Sequence, residues 1–249
     1  MAHKERRIAS HQTLTPPPGE PSHAPRRPDL PVTSAPLAPA ARRSEQLLLF
    51  GRNFLKHPRM LGSLIPSSRF LVDRVLGQVD WGRARTIVEY GPGVGTLTGE
   101  ILQRLRPDGT LLAIEMNRDF VGYLRRTVPD RRLHVVEGSA AEAATALAAR
   151  GLRQADYVIS GIPYSTMPPE IRDRILRITH DVLHQDGAFL VYQFTRAVLP
   201  FLQETFGRVE QGFEPRNIMP ARLFFCRREP DERHAVRTRE TRPRARASS

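Results

Sequence analysis

Val88-Glu89-Tyr90-Gly91-Pro92-Gly93-Val94-Gly95 places three glycines at alternate positions directly after the apolar run Thr86–Tyr90. A short apolar run that ends in glycines reads as a buried strand entering a tight turn. Glycines there allow positive φ and let backbone approach a ligand closely. The stretch Thr96–Leu105 has a helical pattern, so the turn sits at a strand-to-helix crossing, where doubly wound sheets bind ligands. A dinucleotide fingerprint needs a third small residue one place beyond Gly95, where this chain has Thr96, so that pattern fails. Glu89, beside the turn, would repel phosphate and suits a ligand carrying positive charge. Twenty residues after Gly95, Glu115 closes the apolar run Thr110–Glu115. An acid at the end of a second strand can accept hydrogen bonds from both hydroxyls of a ribose. Turn and acid together point to a nucleoside ligand.

Outward from the turn, strands and helices alternate. Asn117–Thr127 reads as a helix opening at an Asn cap. Leu133–Val136 is a third strand, Ala140–Arg150 an Ala-rich helix, and Asp156–Ser160 a fourth strand. Pro168–Leu183 is a helix whose prolines suit a first turn. Ala188–Phe194 is a fifth strand, followed by a helix over Arg196–Phe206. Arg208–Phe213 and Arg222–Cys226 are expected to form a terminal antiparallel pair. This order predicts an α/β fold with a mostly parallel sheet and helices on both faces.

The chain has 249 residues, of which 40% are hydrophobic and 26% charged, enough for one full-size domain. A single cysteine, Cys226, excludes a disulfide framework and a multi-cysteine zinc site. No metal-ligand spacing is present. No apolar run approaches the roughly 18 residues of a membrane span, and the N-terminal residues show no apolar signal-peptide core. The expected setting is therefore cytoplasmic. The formal net charge is +12, which makes an anionic partner plausible, either nucleic acid or a membrane surface. Residues 1–44 hold nine of the 22 prolines and seven basic against three acidic residues; residues 227–249 hold eight arginines and four acids. Two thirds of the excess charge therefore sits at the two ends, which lack periodic apolar residues and are expected to be disordered. The expected organisation is a basic Pro-rich tail over 1–44, an amphipathic helix and cap region over 45–80, a ligand-binding domain over 81–227 and an Arg-rich tail over 228–249.

With Glu89-x-Gly91-x-Gly93-x-Gly95, Glu115 after the second strand and Glu137-Gly138-Ser139-Ala140 after the third, the chain resembles the class I S-adenosylmethionine-dependent methyltransferases. The resemblance covers roughly residues 62–227. It implies a Rossmann-like, seven-stranded sheet with a reversed last strand. It also implies a donor-binding set of Glu89, Gly91, Gly93, Gly95, Glu115, Met116, Ser139, Ala140 and Ser160. In that set the glycines line the methionine moiety, Glu115 holds the ribose and Met116 packs on adenine. Ser139 stands where family members often carry Asp.

Three further stretches look like the bacterial phospholipid N-methyltransferases. They are Phe54-Leu55-Lys56 with Gly62-Ser63-Leu64-Ile65-Pro66-Ser67-Ser68-Arg69, Ser160-Gly161-Ile162-Pro163-Tyr164, and Arg216-Asn217-Ile218-Met219-Pro220-Ala221. That family is similar in turn to the ribosomal RNA adenine dimethylases, which carry Asn-Leu-Pro-Tyr where this chain has Gly161-Ile162-Pro163-Tyr164. Gly161 lacks the amide that their motif supplies beside the target nitrogen. The sequence also turns Arg-rich at residue 227 instead of continuing into their C-terminal helical domain. The resemblance thus implies N-methylation of a membrane aminolipid, phosphatidylethanolamine first and an ornithine-containing lipid second. Adenine methylation of ribosomal RNA is the alternative.

On a helix at about 100° per residue, Leu47, Leu48, Phe50, Phe54 and Leu55 share one side, and Glu45, Gln46, Arg52, Asn53 and Lys56 lie on the other, with Leu49 the exception. Such a helix can lie in an anionic membrane interface or dock on the domain's own core, and a stripe alone does not separate the two. The interfacial reading implies peripheral attachment to the inner face of the membrane. Tyr164 is the candidate catalytic residue, because the loop after the fourth strand faces the donor methyl in the resembling families. Its ring could face an ammonium, although a loop tyrosine can also simply pack. Tyr192 is a weaker candidate for the same role, since its strand position favours packing in the core. Arg216 and Arg222 are candidates for a lipid phosphate. His57 and His180 have no partner pattern that would make them bases or ligands.

Overall fold

A computed structural model describes residues 68–228. The Pro-rich stretch 1–44, the amphipathic segment 45–56 and the Arg-rich end beyond 228 lie outside the described residues, and so does His57. Seven strands form one sheet: β1 (Thr86–Tyr90), β2 (Thr110–Glu115), β3 (Leu133–Glu137), β4 (Ala155–Ser160), β5 (Leu183–Gln193), β6 (Val209–Glu214) and β7 (Ala221–Arg227). Their order is β3-β2-β1-β4-β5-β7-β6. The pairs β1–β2, β1–β4, β2–β3 and β4–β5 are parallel, and β7 runs antiparallel to both β5 and β6. The expected reversed last strand is therefore present. The order reverses between β1 and β4, which opens a crevice at their carboxyl ends.

Six helices cover the two faces: α1 (Arg69–Leu76), α2 (Thr96–Arg104), α3 (Arg118–Thr127), α4 (Ala143–Ala148), α5 (Pro169–Val182) and α6 (Leu199–Phe206). Ile87, Leu111 and Leu190 pack with Leu71, Val75 and Ile101 of α1 and α2. Val88, Leu112 and Phe189 pack with Leu147, Ile175 and Leu202 of α4, α5 and α6. Neighbouring residues on a strand thus enter opposite layers, as the two-residue strand period requires. With both faces covered, every residue of β1 is buried, so apolar Ile87 and Val88 follow one another instead of alternating with polar residues, and Glu89 is a buried carboxyl among them. Cys226 on β7 is wholly buried in the α5–α6 layer, and burial pushes its thiol far above the usual range.

Several boundaries differ from the sequence expectation. The helix expected over Ala140–Arg150 is split into a 3-10 turn at Ala140–Glu142 and the shorter α4. Ser139 Oγ accepts from the Ala141 N–H at 3.2 Å, and Glu142 Oε2 accepts from the Ser139 N–H at 3.0 Å. This reciprocal cap draws the first turn tight. Helix α6 starts at Leu199 instead of Arg196, with Pro200 in its first turn, where a missing N–H is harmless. Strand β5 begins at Leu183 straight after α5, because Leu183 pairs with Ala155 before the register shifts. The exposed His184–Asp186 between them conceals that start from an apolar pattern.

Helix α1 is anchored from a distant part of the chain. Asn217, in the β6–β7 loop, accepts from the Ser68 N–H at 2.8 Å and donates to the Met219 carbonyl at 2.9 Å. Ser68 itself caps α1 through Leu71 N–H. Asn217 is only 8% exposed, so its removal leaves buried polar groups without partners. Asn217→Ala is expected to cost about 1–3 kcal/mol, read as a lower urea midpoint with an unchanged slope.

Candidate functional site

The turn Gly91–Gly95 leaves β1 with all three glycines at positive φ: 68° at Gly91, 57° at Gly93 and 79° at Gly95. A side chain is strained at each. It would also collide at two of them, since an added Cβ stands 2.6 Å from Ile162 Cγ2 at Gly91 and 2.5 Å from Leu124 Cδ2 at Gly95. Glu115, at the end of β2, reaches across to this turn. Its Oε2 accepts from the Gly93 N–H at 3.0 Å and its Oε1 from the Asn117 N–H at 2.8 Å. Burial raises the Glu115 carboxyl above its usual range, and the Asn117, Gly93 and Met116 amides pull the other way. An ionised carboxylate offers about four acceptor sites, so both oxygens retain capacity for a pair of hydroxyls.

Beside this turn lies a cavity of about 320 Å³, at the lower end of the range for small-molecule sites. Gly91, Gly93, Glu115, Met116, Ser139 and Ala140 line it, so six of the residues expected from sequence meet at one hollow. Ser139 Oγ already accepts from Ala141, and as a hydroxyl it can still donate. Gly95 is placed instead as the cap of α2 and lines a separate hollow behind the turn. Ser160 is wholly buried, with its Oγ 2.9 Å from the Tyr164 hydroxyl. Glu89 is 3% exposed and accepts from Thr98 Oγ1 at 2.7 Å. It lies beneath the turn and does not line the cavity.

Tyr164 departs most from expectation. Its ring is fully buried, edge-on to Phe189 at 6.3 Å between centroids, and burial pushes its hydroxyl well above the usual range. The side chain packs into the α5 layer, so its ring is not presented to the cavity as the catalytic reading requires. Sequence reasoning also missed the apolar wall opposite the turn, formed by Ile162, Pro163, Met167, Ile171 and Ile175. A signal was present: Pro168-Pro169 starts α5 at this point, and Ile171 and Ile175 stand four apart on one helix face. Among the described residues no group of His, Cys, Asp and Glu could hold a metal ion.

Gly161, at the exit of β4, has no positive φ. An added Cβ there would overlap the phenol oxygen and Cζ of Tyr192 and stand 2.6 Å from its Cε2. An Asn at this position, as in the resembling RNA enzymes, has no room while Tyr192 stays in place.

The fold and the cavity can be compared with known proteins. The family model described as ribosomal RNA adenine dimethylase matches residues 50–206. The chain belongs to the ribosomal RNA adenine dimethylase family. It is accordingly an S-adenosylmethionine-dependent methyltransferase. This methyltransferase is 35% identical over 185 residues to an ornithine lipid N-methyltransferase of Singulisphaera acidiphila, covering 74% of this chain and 96% of that protein. It is 33% identical over 125 residues to ribosomal RNA small subunit methyltransferase A of Acidithiobacillus ferrooxidans, spanning 49% of this chain but only 40% of that one. Among solved structures, magnesium protoporphyrin IX methyltransferase from Synechocystis with bound S-adenosylmethionine superposes with a TM-score of 0.50 at 12% identity, covering 79% of this chain and all of that one. An O-methyltransferase family protein from Burkholderia thailandensis gives 0.51 at 16% identity, covering 77% of this chain and 60% of that one. At those identities the likeness is one of fold.

The residues present fit the donor. Side-chain-free backbone at Gly91 and Gly93, a buried carboxylate at the end of β2 and the apolar Met116 meet the needs of a nucleoside whose sulfur is cationic. When bound, S-adenosylmethionine supplies an electrophilic methyl group. Glu115→Gln keeps the size of the side chain but sets an N–H₂ against an amide N–H. It is expected to weaken donor binding at least tenfold by calorimetry.

Glu89 gives the site a pH signature. Burial raises its carboxyl from 4.5 to about 7; the Thr98 hydroxyl opposes that shift and the charge on Glu115 adds to it. The folded protein therefore keeps this proton between about 4.5 and 7 while the unfolded chain has lost it, so stability falls as pH rises through that window. The full effect is at most roughly 3 kcal/mol. Glu89→Gln is expected to flatten this part of the profile, measured by urea unfolding at pH 5 and pH 8.

Proposed function

We propose that this methyltransferase transfers the donor methyl to the amine of a membrane aminolipid, acting at the surface of an anionic membrane. The observation that carries the reading is the distribution of exposed apolar side chains. Among the described residues the large exposed hydrophobics are Phe70, Met116, Ile171, Phe213, Ile218 and Met219. Met116 and Ile171 line the cavity itself. Ile218 and Met219 lie in the β6–β7 loop, which Asn217 ties to the start of α1 and hence to Phe70. Phe213 stands opposite Arg222 near the same loop. Met116 and Ile171 edge the cavity, and Phe70, Phe213, Ile218 and Met219 lie farther along the carboxyl end of the sheet, toward its β6–β7 edge. Exposed apolar side chains grouped at one end of a domain support an interaction surface there. The guanidinium of Arg216 lies 4.2 Å from the Phe70 ring centre and that of Arg222 lies 4.6 Å from that of Phe213. Apolar groups edged by arginine suit an interface between acyl chains and phosphate.

The match to an ornithine lipid N-methyltransferase over 96% of its length supports an aminolipid acceptor. It also favours an ornithine-containing lipid over the phosphatidylethanolamine that sequence reading put first. Adenine methylation of ribosomal RNA is the second reading, supported by the relatives of that name. It is disfavoured by Gly161 itself, which lacks the amide that the resembling RNA enzymes carry at that position.

The chemistry asks little of the protein beyond placement. An alkylamine titrates near pH 10, so exposing its lone pair at pH 7 costs about 4 kcal/mol. Desolvation beside a cation lowers that cost. In-line placement is worth about 7–11 kcal/mol, so no strong base is needed. Positive charge moves from sulfur to nitrogen without changing in total.

Purified protein with methyl-labelled donor is expected to label vesicles that contain ornithine lipid more than vesicles of phosphatidylethanolamine, and both more than ribosomal RNA. Label in RNA with none in either lipid would overturn the reading. Equal or greater label in phosphatidylethanolamine would reverse the order of the two lipids only.

A further inference from the structure

Surface loops ordinarily turn polar side chains to water. The β6–β7 loop encloses two polar side chains and exposes two large apolar ones. Glu214, where the loop leaves β6, is 2% exposed and Asn217 is 8% exposed, whereas Ile218 and Met219 are 71% and 41% exposed. Both enclosed side chains are spent on holding the loop. Glu214 Oε1 accepts from the Arg216 N–H and from Arg216 Nε, each at 3.0 Å. Asn217 joins the Ser68 N–H to the Met219 carbonyl. The loop is therefore fixed from within while its apolar side chains face outward.

The same corner carries exposed rings with arginine against them. Phe70 has the Arg216 guanidinium 4.2 Å and the Arg69 guanidinium 5.5 Å from its ring centre. Phe213 has that of Arg222 at 4.6 Å. Strand β6 runs parallel to β5, since both pair antiparallel with β7. Its loop thus leaves from the carboxyl end of the sheet, the end at which the glycine turn and the cavity lie.

We infer that this corner is the element by which the enzyme docks on an anionic phospholipid bilayer. Ile218 and Met219 enter the acyl region, Phe70 and Phe213 lie at headgroup depth, and Arg69 and Arg222 take lipid phosphates. Aromatic rings collect at that depth, and apolar groups edged by cations bind anionic interfaces. The choice of partner rests on the aminolipid reading above, in which the acceptor is held in a bilayer. The inference separates attachment from chemistry, because none of these six residues lines the donor cavity. Docking here turns the carboxyl end of the sheet toward the lipid, so the cavity opens on the side from which the acceptor comes.

The test reads attachment without the reaction, using vesicles of phosphatidylglycerol, which are anionic and carry no amine. Ile218→Ser/Met219→Ser alters no charge, so the basic ends of the chain contribute as before. Its affinity for these vesicles should fall at least roughly tenfold at low and high salt alike, with the thermal midpoint and the calorimetric donor affinity unchanged. Arg69→Gln/Arg222→Gln should weaken binding about fivefold per arginine at low salt and match the unmodified protein at high salt, where exposed charges are screened. Ile218→Cys carrying an environment-sensitive dye should shift to the blue on adding vesicles and be quenched by spin labels in the acyl chains. Undiminished vesicle binding by Ile218→Ser/Met219→Ser, or a dye that stays in water, would overturn the inference and leave the aminolipid reading standing. So would an unmodified protein that is a dimer, dissociated by this variant with vesicle binding intact, since the corner would then join two copies. Vesicle binding through the corner with no label transferred to any lipid would instead remove the aminolipid reading and keep the docking element.

Discussion

The site depends on one carboxylate and two backbone amides. Glu115 ends β2, and its two oxygens take the Gly93 and Asn117 N–H groups. A buried carboxylate is tolerable only when it is bonded, so the glycine turn and the start of α3 are both held to the end of β2. The turn can come that close because Gly91, Gly93 and Gly95 all take positive φ. The same contact that satisfies Glu115 therefore sets the shape of the cavity. Glu89 lies beneath it, close enough for the charge on Glu115 to help hold its proton. Of the two acids it is Glu115 that faces the cavity, and its carboxylate is a negative group that a sulfonium, but not a phosphate, would relieve.

The element order was legible in the sequence because both faces of the sheet are covered. Full burial gave strands such as β2 unbroken apolar stretches, Leu111 to Ile114, and glycines or prolines marked strand ends. The start of β5 was not legible, because His184–Asp186 interrupt the apolar pattern where the register shifts. Helix α4 was drawn too long, because alanines signal helix and say nothing about a reciprocal cap between Ser139 and Glu142. Within the site, the residues on the glycine turn and at the ends of β2 and β3 could be read, since each is fixed by its place on a strand. The wall of Ile162, Met167 and Ile171 could not, since it forms only when α5 folds back over the crevice.

The two tyrosines at the exit of β4 show how far a loop motif can mislead. Pro163-Tyr164 suggests a ring beside the reacting group. Yet Tyr164 folds back toward Ser160 and shares its layer, and the side chain that meets the backbone of Gly161 comes from the neighbouring strand. Such a partnership depends on the pairing of two strands whose contacting residues, Ile162 and Gln193, are 31 positions apart, which no local pattern reveals.

Cys226 carries a practical consequence. It is the only cysteine in the chain, and its sulfur lies fully buried on β7, between β5 and β6. Its side chain points off the face of the sheet into the α5–α6 layer, so a thiol reagent can reach it only when that layer lifts from the strands. The rate of its modification in native buffer is therefore a built-in clock for opening of the helical layer over this part of the sheet, with no engineered label required.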